Sequence, residues 1–227
     1  MTYKIITIDG PSGVGKGTVA TMIADELGLN YLDSGSLYRA LALKLFEKNH
    51  NFEDVINNLD YLISDINIEF QYKKGLGTKI FVNNEDFSEK IRTEKVAILA
   101  ANIAKDKRAR DMLEEYQRKY LAEPGLVADG RDMGTKVFIE ANIKFYLTAS
   151  VEKRAERRLN QLKDQGISAN LPNLIQRLLS RDKADTERLI SPLMPAKDAI
   201  IIDTSDIDAS EVFNITINKI RETLKII

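Results

Sequence analysis

Residues Gly10-Pro11-Ser12-Gly13-Val14-Gly15-Lys16-Gly17-Thr18 constrain this chain more than any other stretch. They lie between an apolar run, Tyr3 to Ile8, and a helical pattern. The run reads as a strand buried on both faces, and the pattern as a helix from about Gly15 to Leu27 that Gly28 stops. A glycine-rich turn in that setting binds a chain of phosphates through inward-pointing backbone N–H groups, which side chains would block. Lys16 reaches the terminal phosphates as a point charge, and the helix aims its positive dipole end at them. The spacing is G-x-x-x-x-G-K, but Gly17 stands where a hydroxyl is usual, so a hydroxyl for magnesium has to come from Thr18. A mere strand-to-helix turn leaves Lys16 without a purpose.

With 227 residues, the chain is expected to form one core with small inserts rather than two large domains. Charged residues make up 30% and the net charge is -1, so neither a nucleic-acid coat nor a general membrane-surface binder is expected. The absence of cysteine excludes disulfides, thiolate metal sites and a cysteine nucleophile. No apolar run approaches the roughly 20 residues that span a bilayer, and the first core strand leaves no room for a signal peptide, so the cytoplasm is the expected location.

Leu126 to Asp129, Ile143 to Leu147 and Ala199 to Asp203 read as further core strands, with Tyr31-Leu32 as a very short one feeding a helix from Ser34 toward Asn49. Strands alternating with helices predict an α/β fold, a parallel sheet covered on both faces. One segment breaks the rhythm. Ile66, Ile68, Phe70 and Tyr72 alternate with polar residues, and Lys79 to Val82 precede the turn-prone Asn83-Asn84. That predicts a small antiparallel β-insert at about residues 62–87, followed by a long helical stretch from Ser88 to Leu121.

The cluster Asp129-Gly130-Arg131-Asp132 directly follows a core strand, and ligands of open α/β sheets collect beyond such strand ends. Arg131 suits a bidentate phosphate clamp, and a carboxylate suits an amino group or a metal-bound water. Alone, the cluster reads equally well as an ion pair at a strand end. Ser34 reads as a helix cap, and Arg39 lies about one turn along, within reach of an anion held near the helix start. Arg154 and Arg158 share one helix face, as do Arg177, Arg181, Asp185 and Arg188. Such faces are usually solvated, neutralised here by Glu156, Asp182 and Glu187, but Gly166-Ile167-Ser168 and Pro172 also suit a mobile lid that carries arginines. His50 reads as a surface residue or a partner of a helix C-terminus.

With these runs in order, above all Asp33-Ser34-Gly35-Ser36-Leu37-Tyr38-Arg39 and Asp129-Gly130-Arg131-Asp132-Met133-Gly134-Thr135, the chain closely resembles the bacterial cytidylate kinases over residues 3 to 225. The resemblance implies a P-loop nucleoside-monophosphate kinase fold with a five-stranded parallel core. That core comprises residues 1–33, 122–151 and 171–227, with a monophosphate-binding region at 34–121 and a helical lid at 152–170. It implies that Gly10 to Thr18 hold the phosphates of ATP, and that Mg2+ is held by Thr18 and, through water, by Asp129. Arg39, Arg131 and Arg188 would bind the acceptor phosphate, Arg181 and Asp185 the sugar, and Arg110 with Asp132 the base, with Ser34 and Tyr38 among the residues that bind CMP. Lys16, Arg131, Arg154, Arg158 and Arg188 would carry the transfer. The substrates implied are CMP or dCMP, and a monomer is expected.

Physical chemistry supports the assignment of the base, because cytosine presents an amino donor that a carboxylate accepts, where uracil presents a carbonyl. The sequence departs from the family pattern at Ala101, where some members use a serine to help hold the base. A kinase for UMP or AMP on the same fold is the nearest alternative, and a nucleotide-dependent switch a more distant one. Against the switch, the chain has no Asn-Lys-x-Asp run to read guanine.

Overall fold

The structure is a computed structural model that describes residues 4–47, 52–73, 77–164 and 166–225. Among these residues a five-stranded parallel sheet runs through the core. Its strands are β1 (Lys4–Asp9), β2 (Asn30–Asp33), β6 (Gly125–Gly130), β7 (Ile143–Thr148) and β8 (Ile200–Asp203), in the order β2-β6-β1-β7-β8. Side chains alternate across each strand, so β1 sends Ile6 and Ile8 to one face and Ile5 to the other. On the first face they meet Val19 and Ile23 of helix α1 (Lys16–Leu27) and Val212, Ile217 and Ile220 of α9 (Ala209–Leu224). On the second face Ile5 packs with Leu32, Leu126, Met133 and Phe138. Each such fully buried side chain contributes about 2 kcal/mol, which is why β1 is rich in isoleucine on both faces.

The register brings the C-terminal ends of the strands to one edge. Asp33 lies beside Asp129, Ile8 beside Asp129, and Asp9 beside Gly130 on one side and Tyr146 on the other. α1 stops where expected, with Gly28 in the left-handed region at φ 63° and its N–H bonded to the Ala24 carbonyl.

The predicted β-insert forms a second, antiparallel sheet of β3 (Ile68–Lys73), β4 (Gly77–Val82) and the short β5 (Glu85–Asp86). Its start differs from the expectation. Residues Leu59–Ser64 form helix α4, after α2 (Ser34–Glu47) and α3 (Phe52–Asn57), because Leu59, Leu62 and Ile63 are spaced three and four apart, as on one side of a helical turn. The helical stretch expected over 88–121 is also interrupted. A 3₁₀ turn at Lys90–Arg92 precedes α5 (Glu94–Ile103) and α6 (Lys107–Arg118). Thr93 accepts from Val96 N and Asp106 from Ala109 N, two side-chain caps that start separate helices within what reads as one amphipathic run. Leu37, Leu41, Ile80, Val82, Phe87, Ile103 and Leu113 give this region an apolar core of its own.

Two further local expectations change. The cap of α2 is Asp33 and not Ser34: the Asp33 carboxylate accepts from Ser36 N at 2.9 Å and also takes the Ser36 hydroxyl. Pro172 begins a helix, lying in the first turn of α8 (Leu171–Thr186) behind the Asn170 cap, where its missing N–H is not needed. α7 (Val151–Asp164) precedes it. His50 and Asn49 lie outside the described residues.

Candidate active site

The phosphate loop leaves β1 through Gly10, whose φ of 149° brings its backbone so close to β7 that a Cβ would lie 2.1 Å from the Leu147 carbonyl oxygen. No side chain fits there, which is the steric reason for glycine at the first position. The loop then curls over the start of α1, and Lys16 folds back so that Nζ donates to the Pro11 carbonyl at 2.7 Å. Burial and the nearby Arg131 pull the Lys16 ammonium well below the usual lysine range, against the favourable pull of Asp129. A buried cation in this condition is relieved by any anion laid in the loop. Thr18 is exposed at the loop's end, and Thr21, one turn on, bonds back to the Gly17 and Thr18 carbonyls.

Asp9 is a buried residue of the site that sequence reading passed over. Its carboxylate accepts from Met133 N at 2.9 Å and Gly134 N at 2.8 Å, tying the end of β1 to the turn that carries Arg131 and Asp132. Burial raises it to about 6 in spite of these two bonds. The signal was its place immediately before Gly10. The turn it holds, Met133–Val137, is a single π-helical turn, in which Lys136 N and Val137 N both bond to the Asp132 carbonyl.

Asp129 is buried, and Tyr31 donates its hydroxyl to Asp129 Oδ1 at 2.8 Å. Burial, with Asp33 beside it, pushes the Asp129 carboxyl upward. Beyond the turn Asp132 forms a buried ion pair with Arg110, and Arg188 Nη2 stands 3.8 Å from Asp132 Oδ1. Arg110 also lies over the Tyr38 ring, 5.9 Å from its centre, and Tyr38 is itself buried.

Guanidinium groups converge between this pair and the loop. Arg131 Nε donates to Asp185 Oδ2 at 2.8 Å, across to α8. Arg39 donates to the Ile91 carbonyl at 3.0 Å, and Arg188 to the Ser191 carbonyl at 2.5 Å. Burial lowers the Arg39 guanidinium, as do Arg131 and Arg158; it lowers Arg181 to about 10, with Arg131 and Arg39 adding to the shift. Arg188 is lowered by burial and by Arg110, and its Nη2 is buried with no hydrogen-bond partner. Like charges gathered without enough acceptors form a seat for an anion. Ser34 is buried at the head of α2, its Cβ close to Gly130.

Arg154 is held against the phosphate loop. It is buried, with Nε on the Ala149 carbonyl at 3.1 Å, Nη1 on the Ser12 carbonyl at 3.1 Å and Nη2 on Asp182 at 2.6 Å. It therefore braces the loop from α7, and Asp182 is a partner whose specific role the sequence did not reveal. Arg157 is likewise occupied, on Thr204 and the Ile207 carbonyl. Arg158 is exposed, bonded to Gln161. Ala101 is exposed on α5, next to Asn102, which takes Lys105.

No group of three or more His, Cys, Asp or Glu side chains that could hold a metal ion occurs among the described residues. The donors the site does offer, the Thr18 hydroxyl and the Asp129 carboxylate, suit a magnesium ion that arrives with the nucleotide and keeps most of its waters. No helix among the described residues is long and apolar enough to cross a membrane.

A phosphate loop on the central strand of a parallel sheet, faced by converging arginines, defines a P-loop kinase. The family model described as cytidylate kinase matches residues 6–222. A cytidylate kinase of Acinetobacter baylyi is 45% identical over 232 residues, 99% of this chain and 100% of that protein. Those of Shewanella sediminis and Colwellia psychrerythraea are 45% and 44% identical, covering 97% and 92% of this chain and 96% and 92% of their own lengths. The chain belongs to the cytidylate kinase family.

Proposed function

We propose that this protein transfers the γ-phosphoryl group of ATP to CMP and dCMP, giving CDP or dCDP and ADP, by direct in-line displacement. The observation that carries the reading is the juxtaposition of a seat of arginines, Arg39, Arg131, Arg181 and Arg188, with the buried Arg110–Asp132 pair. The first suits the phosphate of the acceptor and, at Arg181, its sugar, and the second a base with an amino donor beside two acceptors, which is the edge of cytosine. Asp132 Oδ1, outside the close contact with Arg110 and 3.8 Å from Arg188 Nη2, would accept from that amino group.

The acceptor oxygen is already ionised, so the transfer needs no strong general base. Its barrier falls through positioning and charge neutralisation. Lys16 would leave the Pro11 carbonyl for the β- and γ-phosphates of ATP, while the loop N–H groups hold the chain. A magnesium ion bound with ATP supplies further neutralisation, with Thr18 and Asp129 as the residues to hold it or its waters. Residues 152–170 would act as a lid that excludes water and so suppresses ATP hydrolysis, with Arg158 brought onto the nucleotide. In this scheme Arg154 fixes the hinge of the lid to Ser12 and is not in itself a phosphate ligand. Residues 34–121 would close over the acceptor.

The test is ADP release from Mg-ATP with each of CMP, dCMP, UMP, AMP, GMP and shikimate. Fast release with CMP and dCMP and little with the others is expected. A different preferred acceptor would move the specificity, and slow release independent of any acceptor would overturn the kinase reading.

A further inference from the structure

Tyr31 lies in β2 with its two ends in different parts of the molecule. Its hydroxyl donates to Asp129 Oδ1 at 2.8 Å. The same hydroxyl lies 3.6 Å from where a Cβ on Gly17 would sit, an ordinary van der Waals distance, so it stands next to the phosphate loop where α1 begins. The ring, meanwhile, receives Phe70 of the β-insert edge-on, with centres 5.9 Å apart at 73°, and Phe70 in turn meets Tyr120 at 5.6 Å and 60°. Tyr120 follows α6, the helix that carries Arg110, and its hydroxyl bonds to the Ile68 carbonyl of β3.

We propose that Tyr31 is a positioning residue: its hydroxyl holds the Asp129 carboxylate toward the phosphate loop, and its ring is locked for that task by the β-insert through Phe70. The inference rests on the function proposed above, because it assigns Asp129 to the donor side. A carboxylate at a strand end turns freely about its side-chain bonds unless one oxygen is tied, and Tyr31 ties Oδ1 so that the other is left for the donor complex. The field of Asp129 reaches Lys16 and Arg131, so its orientation matters to both. The aromatic contacts add a physical link between the acceptor-side insert and the donor-side loop.

Tyr31→Phe keeps the ring and its contact with Phe70 and removes only the hydroxyl. Its kcat with CMP is expected to fall about tenfold, the size of one lost hydrogen bond to a charged group, with KM for CMP within about twofold of wild type. Mg-ATP affinity by calorimetry is expected to weaken as well. In an Asp129→Ala background, Tyr31→Phe should change neither quantity further. Unaltered kcat and affinity in the single variant, or undiminished losses in the Asp129→Ala background, would overturn the proposal. Should Asp129→Ala not fold, a crystal structure of Tyr31→Phe decides: a displaced Asp129 carboxylate supports the role, and one in its wild-type position overturns it. Failure of the underlying reading shows separately, as wild-type protein that releases no ADP with CMP, and the calorimetric cycle with ATP still judges Tyr31 in that case.

Discussion

The Asp9 carboxylate accepts the backbone N–H of Gly134 at 2.8 Å, joining the strand that launches the phosphate loop to the turn that presents Arg131 and Asp132. A Cβ on Gly134 would lie 2.8 Å from Thr7 Oγ1, so glycine permits the approach that this bond needs. Donor and acceptor sides are thereby fixed to one another through the backbone.

The pH dependence of this clamp has a definite sign. A carboxyl raised from 3.8 to about 6 by burial contributes stability that is complete below the unfolded value and is lost as pH rises through about 6. The expected size is about 3 kcal/mol, the free energy that separates the folded from the unfolded value at room temperature. Chemical denaturation of wild type and Asp9→Asn between about pH 4.5 and about pH 7.5, a range that brackets the folded value, should show the wild type losing ground to the variant as pH rises. A difference that is flat with pH would refute the raised carboxyl.

Lys16→Ala should lower kcat by about a hundredfold or more, the usual size for removal of a preorganised charge from a transferring phosphoryl group. The fold should persist, with a melting temperature equal to or above that of wild type, because the buried ammonium is held at a cost in the absence of phosphate. Activity near wild type would remove Lys16 from the reaction.

Asp132→Asn keeps a polar group beside the buried Arg110, where Asp132→Ala would strand a cation and confuse stability with specificity. The amide offers uracil a donor, so the ratio of kcat/KM for CMP over UMP should fall about 10- to 100-fold. An unchanged ratio with a general loss of activity would make Asp132 a structural carboxylate.

Arg181→Met should raise KM for CMP by about 30-fold or more, the loss of a charge-assisted contact, while leaving or raising the melting temperature. The stability gain comes from relieving the repulsion by Arg131 and Arg39 that, with burial, lowers this guanidinium to about 10. A fall in stability without a change in KM would show a purely structural role.

Much of this protein is local in origin and so was legible in its sequence. The loop from Gly10 to Thr18, the strand before it, the helix stop at Gly28, the alternation of Ile68 and Phe70 and the cluster Asp129 to Asp132 each depend on neighbours within a few residues. Periodicity and glycine placement encode such features directly. The separation of α5 from α6 was written there as well, in Thr93 and Asp106, but one continuous amphipathic pattern concealed it. What only the tertiary structure decided are the partnerships between distant segments. Arg154 looked like one of several arginines on a solvated face, yet it is buried between Ser12 and Asp182, and Arg157 is taken up by Thr204. Asp9 finds its donors 124 and 125 residues away, and Tyr31 finds Asp129 at a distance of 98. Charge and polarity are properties of a residue, but whether a charge is solvated, paired or gathered with like charges depends on which strand ends and helices the packed sheet brings beside it.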